Sequence, residues 1–150
     1  MQTLFDTKTH QEVLQRIKTL NPNHQPLRGK MDVNQMLNHC QRPLEVANGR
    51  LTFTEKPGFV KKILFKLYKT HMYNDKLWKP NIPTVKDFRV EEAKPFAEEQ
   101  QKLIEAINEF NKKDLNLHWP KHPFFGEFNT EQWGKMQYKH LDHHLRQFGV

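Results

Sequence analysis

The amino-acid sequence predicts an all-α protein built as an antiparallel four-helix bundle. Three observations carry this: four segments repeat apolar residues at intervals of three and four, helix start and stop signals bracket them, and no stretch alternates with the period of a strand.

The first helix is expected over residues 9–20. Thr9 with Glu12 reads as a capping box, Val13, Leu14, Ile17 and Leu20 form the apolar stripe, and Asn21-Pro22 stops it. The second follows Gly29-Lys30-Met31, with Asp32 as N-cap and Gln35 three residues on. Met36, Leu37, Cys40, Leu44 and Ala47 share one face, and Asn48-Gly49 closes it. Pro43 lies inside this helix and removes the amide that would bond the carbonyl of His39, so a kink or break is expected beside that histidine. Over residues 51–87, Pro57, Gly58, Pro80 and Pro83 divide the chain into loops around a helical piece near residues 60–70, the expected home of substrate-shaping elements. The third long helix is expected over residues 95–111, with proline in its first turn and Leu103, Ile104, Ile107 and Phe110 as its stripe. A loop over residues 115–128, rich in His, Pro and Phe, leads to the last helix, which starts at Asn129-Thr130 and runs to Phe148 before Gly149.

The 150 residues form a single expected domain, 1–150, and the 11 Phe, 3 Trp and 5 Met can fill one core although the hydrophobic share is only 36%. No apolar run approaches the roughly 20 residues that span a bilayer, and the first ten residues lack the apolar region of a signal peptide, so a cytoplasmic, membrane-free protein is expected. The single cysteine, Cys40, excludes a disulfide framework and a cysteine-rich zinc module, and leaves nine histidines as the plentiful borderline ligands. The net charge of +7 points weakly to an acidic partner. Its lysines concentrate at Lys56, Lys61, Lys62, Lys66, Lys69, Lys76 and Lys79, interleaved with Phe59, Ile63, Leu64, Phe65, Leu67, Tyr68 and Trp78. This basic 56–79 stretch is expected to cover the core with its lysines in water. No nucleic-acid-binding motif accompanies it, so nucleic acid is the least expected partner.

On the last helix, Trp133, Met136, Gln137, His140, His144, Gln147 and Phe148 fall on one side. His140 and His144 are one turn apart, with Cβ atoms roughly 5–6 Å from each other, a spacing that lets two imidazoles hold one ion. Two histidines on an apolar stripe each need a polar partner, and a shared metal supplies both. The third ligand must come from another helix, where His39, three residues after Met36 on the apolar side, is best placed. Three histidines leave coordination positions open, the pattern of a catalytic rather than a closed structural site. Cys40 is expected to pack in the core, and His10, His24, His71 and His118 to lie at the surface. His143 flanks the stripe, and His122, fixed by Pro123 and a Phe-Phe-Gly turn, is expected to serve loop structure. The chain contains no glycine-rich phosphate loop, no H-E-x-x-H, no G-x-S-x-G and no pair of E-x-x-H helices.

Taken together, Gly29-Lys30-Met31, Gln35-Met36-Leu37-Asn38-His39-Cys40, His122-Pro123-Phe124-Phe125-Gly126 and the closing run from Trp133 to Gly149 resemble the DinB-like (YfiT-like) metalloenzyme superfamily. The resemblance covers residues 6–149 and is closest to a bacterial branch described as domains of unknown function. It implies an up-up-down-down four-helix bundle with a long crossover between helices 2 and 3, frequent homodimers, and a divalent metal held by three histidines that match His39, His140 and His144. Characterised relatives include thiol transferases using bacillithiol or mycothiol and a maleylpyruvate isomerase, which implies metal-activated thiolate chemistry on small electrophiles. Where many relatives have His-Arg-Gly-Gln, this chain has His144-Leu145-Arg146-Gln147, with Gln147 in register. His143, Gln147 and His122 are the residues expected to support or wall the site. The functional expectation is an enzyme using Zn²⁺, Ni²⁺ or Fe²⁺ on a small-molecule substrate, by hydrolysis or by transfer with a low-molecular-weight thiol cosubstrate. The alternative is a non-catalytic, metal-stabilised module that offers the 56–79 stretch to an acidic partner or nucleic acid.

Overall fold

Side-chain capping sets where three of the four long helices begin. In the computed structural model, which describes residues 2–52, 57–80 and 82–150, five α-helices follow in order: α1 (Thr7–Thr19), α2 (Val33–Ala47), α3 (Phe59–Tyr68), α4 (Phe96–Asn111) and α5 (Thr130–Gln147). Short 3-10 turns occupy Lys69–Met72 and Lys86–Phe88. Among the described residues there is no strand, only an isolated bridge between His122 and Gly126. The capping boxes Asp32/Gln35 and Asn129/Gln132 both form. The expected Thr9/Glu12 box does not: Asp6 accepts the Thr9 amide at 2.8 Å and starts α1 earlier, because a carboxylate three residues upstream suits the positive helix end better than a hydroxyl. Pro43 does not break α2, which runs unbroken through it. The Pro43 carbonyl accepts from Gln137 of α5 at 2.8 Å, which ties α2 to α5 at the proline.

α3 corrects another expectation. Its lysines stand in water, but so does its apolar face: Phe59, Val60, Ile63, Leu64, Leu67 and Tyr68 are exposed, and no residue of the helix is buried. Phe65 alone is half-buried, with its ring 5.1 Å from Phe124 and 5.5 Å from Phe125. Lys56 of the basic stretch lies outside the described residues.

The remaining four helices pack in a ring, α2 against α4 and α5, α1 against α4 and α5. Bridging hydrogen bonds give their directions. Asn38 and Gln41 reach Glu99 while Asn48 reaches the Ala106 carbonyl, so α2 and α4 are parallel. Gln137 meets Pro43 while His140 meets His39, so α5 opposes α2. His10 meets Asn108 and Gln100 donates to the Ile17 carbonyl, so α1 opposes α4. The order is therefore up-down-down-up, not the expected up-up-down-down. The cause is the connection between α1 and α2: the Leu27 amide donates to the Gln147 carbonyl at 2.8 Å, and Arg16, near the end of α1, donates to the Val150 carbonyl at 2.8 Å. Both anchors lie at the C-terminal end of α5, so the chain reverses there instead of crossing the bundle. The long crossover falls between α2 and α4, as expected, and contains α3.

Val13, Ile17, Met36, Leu37, Leu44, Leu103, Ile107, Phe110, Trp133, Met136, Leu141 and Leu145 are buried at the centre, each contributing roughly 1.5–3 kcal/mol. Two buried carboxylates join helices: Glu99 of α4 takes Gln41 at 2.8 Å and Asn38 at 2.9 Å from α2, and Asp142 of α5 takes Arg16 of α1 at 2.8 Å as well as Arg146 of its own helix at 2.8 Å.

Candidate metal centre

The antiparallel contact of α2 and α5 brings His39, His140 and His144 together, all buried. Their ligand atoms lie within 4.8 Å of one another, close enough to hold a metal ion. The His39 and His140 Nε2 atoms are 3.1 Å apart. Two nitrogens each about 2.0–2.1 Å from one zinc ion would be roughly 2.9–3.4 Å apart between octahedral and tetrahedral angles, so the spacing fits a shared ion.

Two of the three rings are oriented by hydrogen bonds on their far sides. His39 Nδ1–H donates to the Phe88 carbonyl at 2.8 Å, which turns the Nε2 lone pair toward the cluster. Gln147 Nε2 donates to the Arg28 carbonyl at 2.8 Å, so its Oε1 faces His144 and accepts from Nδ1–H at 3.0 Å, leaving the His144 Nε2 lone pair free to bind. His140 Nδ1 is buried with no hydrogen-bond partner among the described residues. Burial pushes the His39 imidazole down, only partly opposed by the Phe88 carbonyl. His140 is driven well below its ordinary value by burial and by His144, His39 and His143. His144 falls to about 3 through burial, then His39. All three are therefore neutral near pH 7, the state a metal ligand requires.

A cavity of about 200 Å³ opens beside the three rings. The crossover supplies much of its wall: Phe65 and Tyr68 from α3, then Met72, Trp78 and Phe88. The Trp78 ring lies edge-on to His140 at 5.9 Å and tilted against His143 at 5.6 Å. It is held in place by Lys139, whose ammonium donates to the His71 carbonyl at 2.7 Å and to the Asn74 carbonyl and Oδ1 at 3.0 and 2.7 Å. Trp78 Nε1 donates to the same His71 carbonyl at 3.0 Å. Burial brings the Lys139 ammonium down to about 8.

His143 lines the cavity without joining the trio, and its imidazole is held down by burial and then by the Arg28 charge. His122 also stands apart from the trio. Its Nδ1 accepts the Phe124 and Phe125 amides at 3.2 and 3.3 Å, shaping the turn that presents both rings to the cavity. Burial lowers His122 to about 3. Cys40 packs in the core as expected, 3.7 Å from the Met36 sulfur, and burial raises its thiol. Of the four histidines expected at the surface, His118 is exposed, whereas His10, His24 and His71 are half-buried. None of the four joins the trio.

Sequence reasoning missed the Phe88 carbonyl, Trp78 and Lys139. A backbone carbonyl carries no residue-type signal, and Trp78 and Lys139 meet only through the fold of the crossover.

Comparison with curated proteins and with solved structures finds no match to the chain. A family model does match it over residues 2–149, nearly the whole length, and the chain belongs to that family, whose description reads "Protein of unknown function (DUF1569)".

Proposed function

We propose that this protein is a divalent-metal-dependent enzyme of DinB-like type, acting on a small molecule by thiol transfer or hydrolysis. The observation that carries this reading is the convergence of three buried, neutral imidazoles beside a walled cavity. The long crossover between α2 and α4 supports the same kinship. His39, His140 and His144 would hold the ion, zinc, nickel or iron. When bound, it supplies Lewis acidity, lowering the pKa of a water or thiol toward about 7.

The chain's own residues do the rest. Phe88 and Gln147 fix the tautomers of His39 and His144. The aromatic wall excludes water and holds an apolar substrate portion. His143, at the cavity wall and outside the trio, is the side chain available to move a proton.

Elemental analysis of the untagged protein beside a His140→Ala, His144→Ala double variant tests the reading. About one ion per chain, lost in the variant, is the expected result. No ion after reconstitution with zinc, nickel and iron would overturn it.

A second reading, as a binding module, is favoured by one observation: α3 carries Lys61, Lys62 and Lys66 beside an apolar face that stays exposed among the described residues. That combination suits an acidic partner with apolar side chains better than nucleic acid, whose bases are held chiefly by stacking on aromatic rings, whereas most of this face is aliphatic: Val60, Ile63, Leu64 and Leu67.

A further inference from the structure

We propose that the small molecule handled at this site carries an anionic head, a carboxylate or a phosphate, on an apolar body, and that Arg28 and Lys30 receive the head. This rests on reading the three histidines as the metal centre.

A second cavity of about 130 Å³ lies against the first and is lined by Arg28, Gly29 and Lys30. The two cavities share Ile82, Thr84, His143 and His144, so they meet at the histidines themselves. Their walls differ in kind. The first is aromatic, with Phe65, Tyr68, Trp78, Phe124 and Phe125. The second is cationic, and neither cavity is lined by an acidic side chain among the described residues. Arg28 and Lys30 give the second cavity its positive sign, and a divalent ion on the histidines would add to it.

Both cations are free to act. Elsewhere on the surface Arg50 pairs with Glu109, Lys102 with Glu98, Lys121 with Glu127 and Lys135 with Glu131. Arg28 and Lys30 have no carboxylate partner among the described residues, and both are exposed. Their loop is nevertheless held in place. The Leu27 amide donates to the Gln147 carbonyl and Gln147 Nε2 donates to the Arg28 carbonyl, both at 2.8 Å. Gly29 sits at φ +89°, and a Cβ there would stand 2.4 Å from Gln147 Nε2. The same Gln147 orients His144, so the loop that carries the cations and the ring that would bind metal are set by one side chain. With the loop backbone anchored, binding a head group orders only the Arg28 and Lys30 side chains, and its apolar body then extends across the histidines into the aromatic cavity.

The test uses zinc-loaded protein titrated at low salt with phenylacetate, phenyl phosphate and the neutral phenylacetamide, followed by calorimetry. At least one of the two anions should bind about tenfold more tightly than the amide, and which one does so identifies the head. An Arg28→Ala, Lys30→Ala variant should bring that preference to within about twofold with zinc content unchanged, and Arg28→Glu should reverse it. Because both side chains are exposed, the variants keep the fold. The proposal is overturned if none of the three probes binds, if the amide matches both anions, or if the double variant keeps the preference, which would place the anion on the zinc alone. Failure of the metal reading looks different: wild-type protein that takes up no zinc yet prefers an anion through Arg28 and Lys30 would sink the metal centre and leave the anion subsite standing.

Discussion

Gln147 is where three functions meet: it accepts from His144, donates to the Arg28 carbonyl, and leaves no room for a side chain at position 29. Replacing it with leucine keeps the volume but removes both polar contacts, so His144 loses its orientation. Metal affinity should fall by about 10–100-fold, measured by competition with a chelator of known affinity. Gly29→Ala should give a similar loss by another route, since Cβ would displace the Gln147 amide and the positive φ would be strained, at a cost of about 1–3 kcal/mol in thermal unfolding. A Gly29→Ala protein with unchanged metal affinity would show that the loop and the site are independent. At this scale the spacing of His140 and His144 and the place of His39 on the apolar face were legible, because helical periodicity alone predicts which residues share a side. The Phe88 carbonyl was not, since it reaches His39 from a 3-10 turn whose position depends on how the crossover folds back.

The helix starts show both the reach of local rules and the limit. Asp32 and Asn129 each satisfy and are satisfied by a glutamine three residues on, and both boxes are readable in the sequence because the pattern is complete within four residues. At α1 the Thr9/Glu12 pattern is present in the sequence but unused, and only the structure shows Asp6 as the cap. Gln35 also reaches beyond its own helix, where its Nε2 donates to the Val90 and Glu91 carbonyls at 3.4 and 3.3 Å and ties the α2 start to the crossover just beyond Phe88. Asp32→Ala should therefore cost about 1 kcal/mol and also loosen residues 88–91, visible as faster amide exchange there than in α4. On α3 the sequence located the helix but not its partner. Amphipathicity marks an apolar side without saying what covers it, and only Phe65 meets other rings, those of Phe124 and Phe125 at the cavity wall.

For the whole molecule, the buried histidines make stability depend on acid. His122 and His144 have pKa values lowered to about 3 from the ordinary value of 6.5, and His39 and His140 are lowered as well, chiefly by burial. Depressed folded values mean that the unfolded chain binds more protons. The stability these rings contribute as neutral groups is complete above pH 6.5 and is lost as the pH falls toward 3. In metal-stripped protein the melting temperature should thus be level between about pH 7 and 8. Below about pH 6.5 it should decline, by about 1.4 kcal/mol of unfolding free energy per pH unit for each histidine excluded from protonation. A flat profile down to about pH 5 would show that these rings are hydrated or protonated in the native state. Bound metal should shift the onset of the decline to lower pH, because protons and metal compete for the same lone pairs.

The amino-acid sequence by itself determined an all-helical chain, the positions of its four long helices, and a histidine set of the right type and register, because those depend on spacing within a few residues. The tertiary structure alone decided the up-down-down-up order, the exposure of α3, and the paired aromatic and cationic cavities that meet at His143 and His144. Helix direction and cavity walls arise from contacts between residues far apart in the chain, such as Leu27 with Gln147 and Lys139 with Asn74. Many chain paths satisfy the same local pattern, and the one adopted is that in which these polar groups find their partners.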